Sequence, residues 1–258
     1  MSQKELEIRN VYKHFIIDKE KREILNNINV DVDKGEFVSI VGSSGCGKST
    51  LLRIIAGLET VSGGEVRVHD TPVNGTSGRC KMAFQEARLL PWWSVEKNIG
   101  FGLDKKITGE ERTEKIRHYI ELVGLKGFEK ALPKQLSGGM QQRVSIARAL
   151  ISDPKILLLD EPFGALDALT KIHMQRAVAQ IWEKEKKTMI LVTHDIDEAV
   201  YLSNRVIVLS ERPGEIRKII RIEMSRDRNR GSDDFAYYKN LIYKEFFTES
   251  EEEFEYVI

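Results

Sequence analysis

The sequence predicts an α/β fold: a parallel sheet with helices on its faces, a β-rich stretch before it and a helical insertion within it. Three observations predict this. Residues 37–57 run as an apolar strand, a glycine-rich loop and a helix. Residues 155–209 alternate strand-length apolar runs with helical patterns, which calls for parallel strands with covering helices. Residues 90–154 lack strand patterning and carry helical spacing instead.

In chain order, Leu6, Ile8 and Val11 are apolar, and Ile28, Val30 and Val32 alternate with Asn29 and Asp31, the period of a half-buried strand. Phe37-Val38-Ser39-Ile40-Val41 is a mostly apolar run that stops at Gly42. The run from Leu51 to Ala56 reads as a helix ending at Gly57. Gly63, Gly64, Pro72, Gly75 and Gly78 mark turns between short strands. Thr108-Gly109-Glu110-Glu111 fits a capping box in which Glu111 reaches back to Thr108. Ile116, Tyr119, Ile120 and Val123 then recur at helical spacing before Gly124, and a second helix is expected from Ser137 or just after to Ile151. Residues 155–160 return to a buried strand; helix near 168–186, strand 188–192, helix near 195–202 and strand 205–209 follow. The stretch from Glu249 to Glu255 is acidic and is expected to fray.

Composition narrows the function. The 258 residues hold 40 Lys+Arg against 40 Asp+Glu, a formal net charge of +0, which argues against a nucleic-acid coat. With 41% hydrophobic and 31% charged residues the chain is expected to be globular, and no stretch approaches the ~18 apolar residues that span a bilayer. The first ten residues lack the apolar region of a secretory signal. Cys46 and Cys80 are the two cysteines; they make no disulfide framework and point to a reducing cytosol.

Gly42-Ser43-Ser44-Gly45-Cys46-Gly47-Lys48-Ser49 fits G-x-x-x-x-G-K-S, with Thr50 following. Such glycines let consecutive N–H groups point inward at phosphate oxygens, and the helix behind offers its positive N-terminus. Lys48 supplies a cation to the β- and γ-phosphates and Ser49 a hydroxyl to Mg²⁺. The same N–H groups and Lys48 are expected to favour the Cys46 thiolate. Asp160-Glu161 ends an apolar run, so Asp160 would hold the metal and Glu161 would polarise the attacking water. Together these residues indicate a nucleoside triphosphatase with a phosphate loop.

Leu136-Ser137-Gly138-Gly139-Met140-Gln141-Gln142-Arg143 indicates which kind. It resembles the signature motif of the ATP-binding cassette (ABC) ATPases, and Ser137, Gly138 and Gly139 would make a second anion site at a helix N-terminus. The resemblance covers nearly the whole chain. It implies a P-loop (RecA-like) core with an N-terminal antiparallel β subdomain and a helical subdomain that carries the signature. The boundaries expected are 1–89 and 155–225 for the nucleotide-binding core, 90–154 for the helical subdomain and 226–258 for a C-terminal helical tail. It also implies that ATP and Mg²⁺ bind at a head-to-tail homodimer interface, each signature capping the γ-phosphate held by the other chain. On this resemblance Phe15 stacks on adenine, Gln85 senses Mg²⁺ and water, Ser137, Gly138, Gly139 and Gln141 meet nucleotide, Ala165-Leu166-Asp167 crosses the interface, and His194 contacts the γ-phosphate.

Leu89-Leu90-Pro91-Trp92-Trp93-Ser94-Val95 resembles the stretch that receives a permease helix, worded as in the nitrate, sulfonate and taurine importers. Glu211-Arg212-Pro213-Gly214-Glu215-Ile216 and Arg226-Asp227-Arg228 resemble that subfamily's C-terminal segment. The resemblance implies transmembrane permease subunits and an extracytoplasmic substrate-binding protein as partners, no nucleic acid, and a peripheral position on the cytoplasmic face of the plasma membrane. The rival reading is a soluble ABC ATPase of a cytosolic assembly system, which has no need of the tryptophans.

Overall fold

A computed structural model of the chain describes residues 3–164 and 166–247. In chain order the elements are β1 (Lys4–Ile17), β2 (Glu20–Asp33), β3 (Phe37–Val41), α1 (Lys48–Ile55), β4 (Gly63–Val68), β5 (Thr71–Pro72), β6 (Cys80–Ala83), α2 (Val95–Gly100), α3 (Gly109–Leu122), α4 (Gly138–Leu150), β7 (Ile156–Asp160), α5 (Ala168–Glu185), β8 (Thr188–Thr193), α6 (Ile196–Leu202), β9 (Arg205–Leu209), β10 (Ile216–Arg221) and α7 (Asp233–Tyr243). They form two sheets. The first is antiparallel, in the order β2-β1-β4-β5; the second runs β10-β9-β3-β8-β7-β6 and is parallel except for β10 at its edge.

The strands of the central sheet are apolar on both faces because both faces are covered. Strand side chains alternate between faces, and the alternation sorts residues between two cores. Val38, Ile40, Ile156, Leu158, Ile190 and Val192 face the core shared with α1 and the antiparallel sheet. Phe37, Leu157, Leu159, Met189 and Leu191 face the core shared with α2, α4 and α5. Ser39, polar in this setting, is fully buried and bonds the hydroxyl of Ser203. A third core joins α6, Ile220, Ile222 and two residues of α7, Phe235 and Ile242.

The strand and helix order expected from 37 to 57 and from 155 to 209 is present, as are the antiparallel β-rich start and the helix that follows Ser137. The capping box at Thr108 does not form: Thr108 precedes α3 but makes no side-chain cap. Gly109 opens the helix at φ 61, outside helical dihedrals, and Glu111 instead pairs forward with Lys115 at 3.0 Å. The acidic stretch 249–255 lies outside the described residues.

Candidate active site

The phosphate loop, Asp160-Glu161 and His194 all follow strands that are neighbours in the sheet, in the order β3-β8-β7. The register sets Val41 beside Thr193 and Asp160 beside Val192. Parallel strands end on the same side, so the three loops meet at the carboxyl edge, where open α/β sheets place their ligands.

Each loop has its own local reason for its shape. Gly47 adopts φ 105, and a Cβ there would come within 2.7 Å of Leu25 and 3.0 Å of the Ile24 carbonyl, so only glycine lets the loop press against β2. Lys48 is buried, and its Nζ donates to the carbonyls of Gly42 and Ser43, both at 2.8 Å. The ammonium thus sits across the mouth of the loop. Ser44 and Gly45 are exposed, while Ser49 and Thr50 are half-buried in the first turn of α1. Ser49 Oγ donates to Asp160 Oδ1 at 2.8 Å. Burial pushes the Asp160 carboxyl above its ordinary range, with the Ser49 bond opposing and the neighbouring Glu161 charge adding.

Glu161 is held at φ 44, a left-handed conformation costly for a residue with a side chain. Its N–H donates to Val192 O at 2.9 Å, and its Oε2 lies 3.2 Å from His194 Nδ1. Gln85 is exposed beyond β6; a Cβ on Gly164 would come within 3.3 Å of Gln85 Nε2 and 3.9 Å of Glu161 Oε2, so Gly164 sits between these two side chains. A cavity of about 390 Å³ extends from Phe15 over Gly45 and Lys48 to Glu161. Phe15 is half-buried at one end, with Lys13 Nζ 4.6 Å from its ring centroid.

The signature does not line that cavity. Ser137 caps α4, its Oγ accepting from Met140 N–H at 3.3 Å, and Gly138 and Gln141 line a separate cavity of about 410 Å³ with Gln85 and Pro162. Gly139 allows close packing of α4 on α5, since a Cβ would meet Thr170 at 2.7 Å. The Gln141 amide turns back to donate to Pro133 O and Leu136 O at 3.1 and 3.3 Å. Asp167 caps α5 by accepting from Thr170 N–H at 3.1 Å. Ala165 lies outside the described residues.

The Cys46 expectation is overturned. The thiol is 1% exposed and points away from the cavity into the core beneath Gly42, and burial pushes its pKa up more than Lys48 draws it down. Cys80 is also buried and is pushed to about 12. A disulfide reagent at neutral pH is therefore expected to titrate neither thiol in the native protein and both after guanidinium unfolding. Rapid native labelling of Cys46, identified by peptide mapping, would count against this geometry.

The supporting contacts of several residues escaped the sequence reading, among them those of Arg212 and Gly214, which that reading notes only for resemblance. Arg212 donates from Nε and Nη2 to Gly45 O at 3.0 and 2.9 Å, and Gly214 packs so close to the Cys46 carbonyl that a Cβ would lie at 2.2 Å. Residues 212–214 thus seat on the phosphate loop from far along the chain. Lys171 pairs with Asp195 at 2.7 Å and Glu198 at 2.8 Å, and Thr193 Oγ1 donates to Glu198 at 2.5 Å. That cluster ties the start of α5 to both sides of His194. Buried Asn98 clasps 90–94, accepting from Leu90 N–H at 2.9 Å and donating to the carbonyls of Leu90, Trp93 and Ser94 at 3.2, 2.9 and 3.2 Å. The Glu-Lys-Asn-Ile context of Asn98 carries no motif; only its later burial distinguishes it.

A phosphate loop between β3 and α1, with paired carboxylates ending β7, defines the fold as that of a P-loop nucleoside triphosphatase. The comparisons name the family. A profile described as ABC transporter matches residues 25–164. The chain is 48% identical over 239 residues to the aliphatic sulfonates import ATP-binding protein SsuB of Bacillus thuringiensis subsp. konkukian, covering 93% of this chain and 94% of that protein. It is 49% identical over 238 residues to the uncharacterized ABC transporter ATP-binding protein MJ0412 of Methanocaldococcus jannaschii, covering 92% and 89%. The dimeric post-hydrolysis structure of the ATP-binding cassette MJ0796 bound to ADP and Pi superposes with a TM-score of 0.73 at 33% identity, covering 85% of this chain and all of that one. The chain belongs to the ABC transporter ATP-binding family and is an ATPase.

Proposed function

We propose that this chain is the ATP-hydrolysing subunit of an importer for a small oxyanion, an aliphatic sulfonate first among the candidates. The observation that carries the cargo is the near full-length 48% identity to sulfonate import subunits. In this reading the loop from Gly42 to Gly47 with Lys48 and Thr50 cradles the phosphates, and Phe15 stacks on adenine. Glu161 accepts the proton of the attacking water, and His194, 3.2 Å from it, orients that carboxylate and meets the γ-phosphate.

The residues present fit Mg²⁺. Ser49 and Asp160 offer hard oxygens 2.8 Å apart, and this ion takes one or two protein groups and completes its shell with water and phosphate. Ser49, Asp160 and Gln85 would hold the ion, which would supply positive charge to offset that of the triphosphate.

Ser137, Gly138, Gly139 and Gln141 lie outside the cavity of their own phosphate loop, which supports a head-to-tail homodimer in which each signature closes the partner's site, with Asp167 at the crossing. The core is then 1–89 and 155–225, the helical subdomain 90–154, and the tail 226–258. Among the described residues no helix is long and apolar enough to cross a membrane. Likeness to import ATP-binding subunits supports a peripheral position on the cytoplasmic face, beneath permease subunits served by an extracytoplasmic binding protein.

The permease would dock on the aromatic surface that Asn98 holds. Trp92 is 69% and Phe101 63% exposed, and Trp93 packs edge-on against Phe101 with ring centroids 5.5 Å apart. This surface favours the transporter over the cytosolic assembly reading. Half-burying one such ring would contribute about 2–3 kcal/mol. The double variant Trp92→Ala, Trp93→Ala is expected to fold and hydrolyse ATP alone, yet fail to copurify with its permease. Loss of solution ATPase would instead make these rings structural. The cargo is tested by deleting the gene and measuring uptake of labelled alkanesulfonate: uptake should vanish and return with the wild-type gene, and undiminished uptake would reject the assignment.

A further inference from the structure

Arg226-Asp227-Arg228-Asn229-Arg230 places an arginine at every second position. Arg226 Nη1 donates to Leu202 O at 3.1 Å, and Arg228 Nη1 donates to Val200 O, so both cap carbonyls at the end of α6. The Arg226 guanidinium lies 4.0 Å from the Trp182 ring centroid. That of Arg230 lies 3.9 Å from Tyr201's, and Arg230 also bonds Gln175 of α5. Three guanidinium planes are thereby fixed before any ligand arrives. A cavity of about 810 Å³ opens between this segment and α5, and Arg176 of α5 lines it too.

The charge here is not balanced. Four arginines line the cavity against two carboxylates, Glu183 and Asp227, and among the described residues none of the four forms a salt bridge. Arg228 is 6% exposed, and burial together with the Arg226 charge lowers it to about 10. Arg226 Nη2 and Arg228 Nε are buried with no acceptor. Helix capping accounts for one nitrogen on each of these two residues. It leaves their other donors, and all of Arg176, unexplained. The Glu183 charge acts on Arg226, whereas Arg228 feels the like charge of Arg226, and a buried guanidinium so placed is costly and does not escape by losing its proton.

We infer that the cavity between α5 and residues 226–230 binds a small dianionic oxyanion of the sulfate or phosphate class, held by Arg176, Arg226 and Arg228. The guanidinium fork matches such oxygens, and an anion there would tie the 226–230 segment to α5 and α6. The site is separate from the phosphate loop and does not depend on the cargo assigned above.

The test is isothermal titration of the full chain with sodium sulfate, and separately inorganic phosphate, at constant ionic strength with the phosphate loop filled by Mg-ADP. Saturable binding is expected, absent with chloride, and weakened by about tenfold or more in Arg176→Gln and in Arg226→Gln, the effect of losing one charge-assisted bond. Arg176 is exposed and makes no bond in the structure, so its variant keeps the fold even if Arg226→Gln does not. No saturable binding, or equal affinity in Arg176→Gln, overturns the inference. So does binding that disappears in Lys48→Ala and survives in Arg176→Gln, which would belong to the phosphate loop.

Discussion

Replacing Glu161 by Gln is expected to lower ATP hydrolysis by about 10²–10⁴-fold, the usual worth of a positioned general base, while leaving ATP binding intact. The geometry makes the substitution a clean one. Glu161 is fixed by its backbone bond to Val192 O and lies 3.2 Å from His194 Nδ1. A glutamine has the same length and can keep a bond to the imidazole, but its amide cannot take a proton from water. The strained φ of 44° at this position is a backbone property and is unchanged by an isosteric side chain. If binding closes the head-to-tail dimer and only hydrolysis reopens it, the variant should elute as a lasting dimer in Mg-ATP on size exclusion. Steady-state phosphate release and a fluorescent-nucleotide titration separate chemistry from binding. A variant that hydrolyses at the wild-type rate would remove Glu161 from the role of base.

Lys48→Ala is expected to fail at the earlier step. The ammonium is buried and bonds two loop carbonyls at 2.8 Å, so it holds the loop and also presents its charge to the phosphates. Charge-assisted bonds of this kind are worth about 1.5–3 kcal/mol each, which corresponds to a loss of triphosphate affinity of about 10–100-fold. A thermal melt controls for loosening of the loop. Ser137→Arg should behave differently. Ser137 caps α4 and does not line the phosphate-loop cavity of its own chain, so nucleotide binding should persist while hydrolysis falls. An equal loss of nucleotide binding in both variants would argue against the signature acting on the partner's nucleotide.

Much of the core was legible because its rules are local. The apolar runs 37–41 and 156–159 read as buried strands because both faces of each are covered, and period-two sorting then divides their residues between two cores. The phosphate loop was legible because glycine at positive φ is demanded by the backbone itself at Gly45 and Gly47. Elements with weaker local patterns were not read. β6 is four residues long, and β10, Ile216-Arg217-Lys218-Ile219-Ile220-Arg221, buries only Ile220. Nothing in its charge pattern distinguishes an antiparallel edge strand from a loop.

By itself, the sequence determined the class of chemistry and the order of its parts: a phosphate loop, a signature, two carboxylates and a histidine, each in a local context of strand or helix end. Tertiary structure alone decided which of them meet. The insertion of β8 between β3 and β7 brings His194 to Glu161 across thirty-three positions of chain, and the return of residues 212–214 puts Arg212 on Gly45. It also turned the Cys46 thiol into the core, against the reading of a favoured thiolate, and left the Thr108 box unmade. The physical reason is the same in each case. Periodicity reports which face of an element is covered. Strand order, burial depth and ion-pair partners depend on contacts between distant segments, and these exist only once the chain has closed on itself.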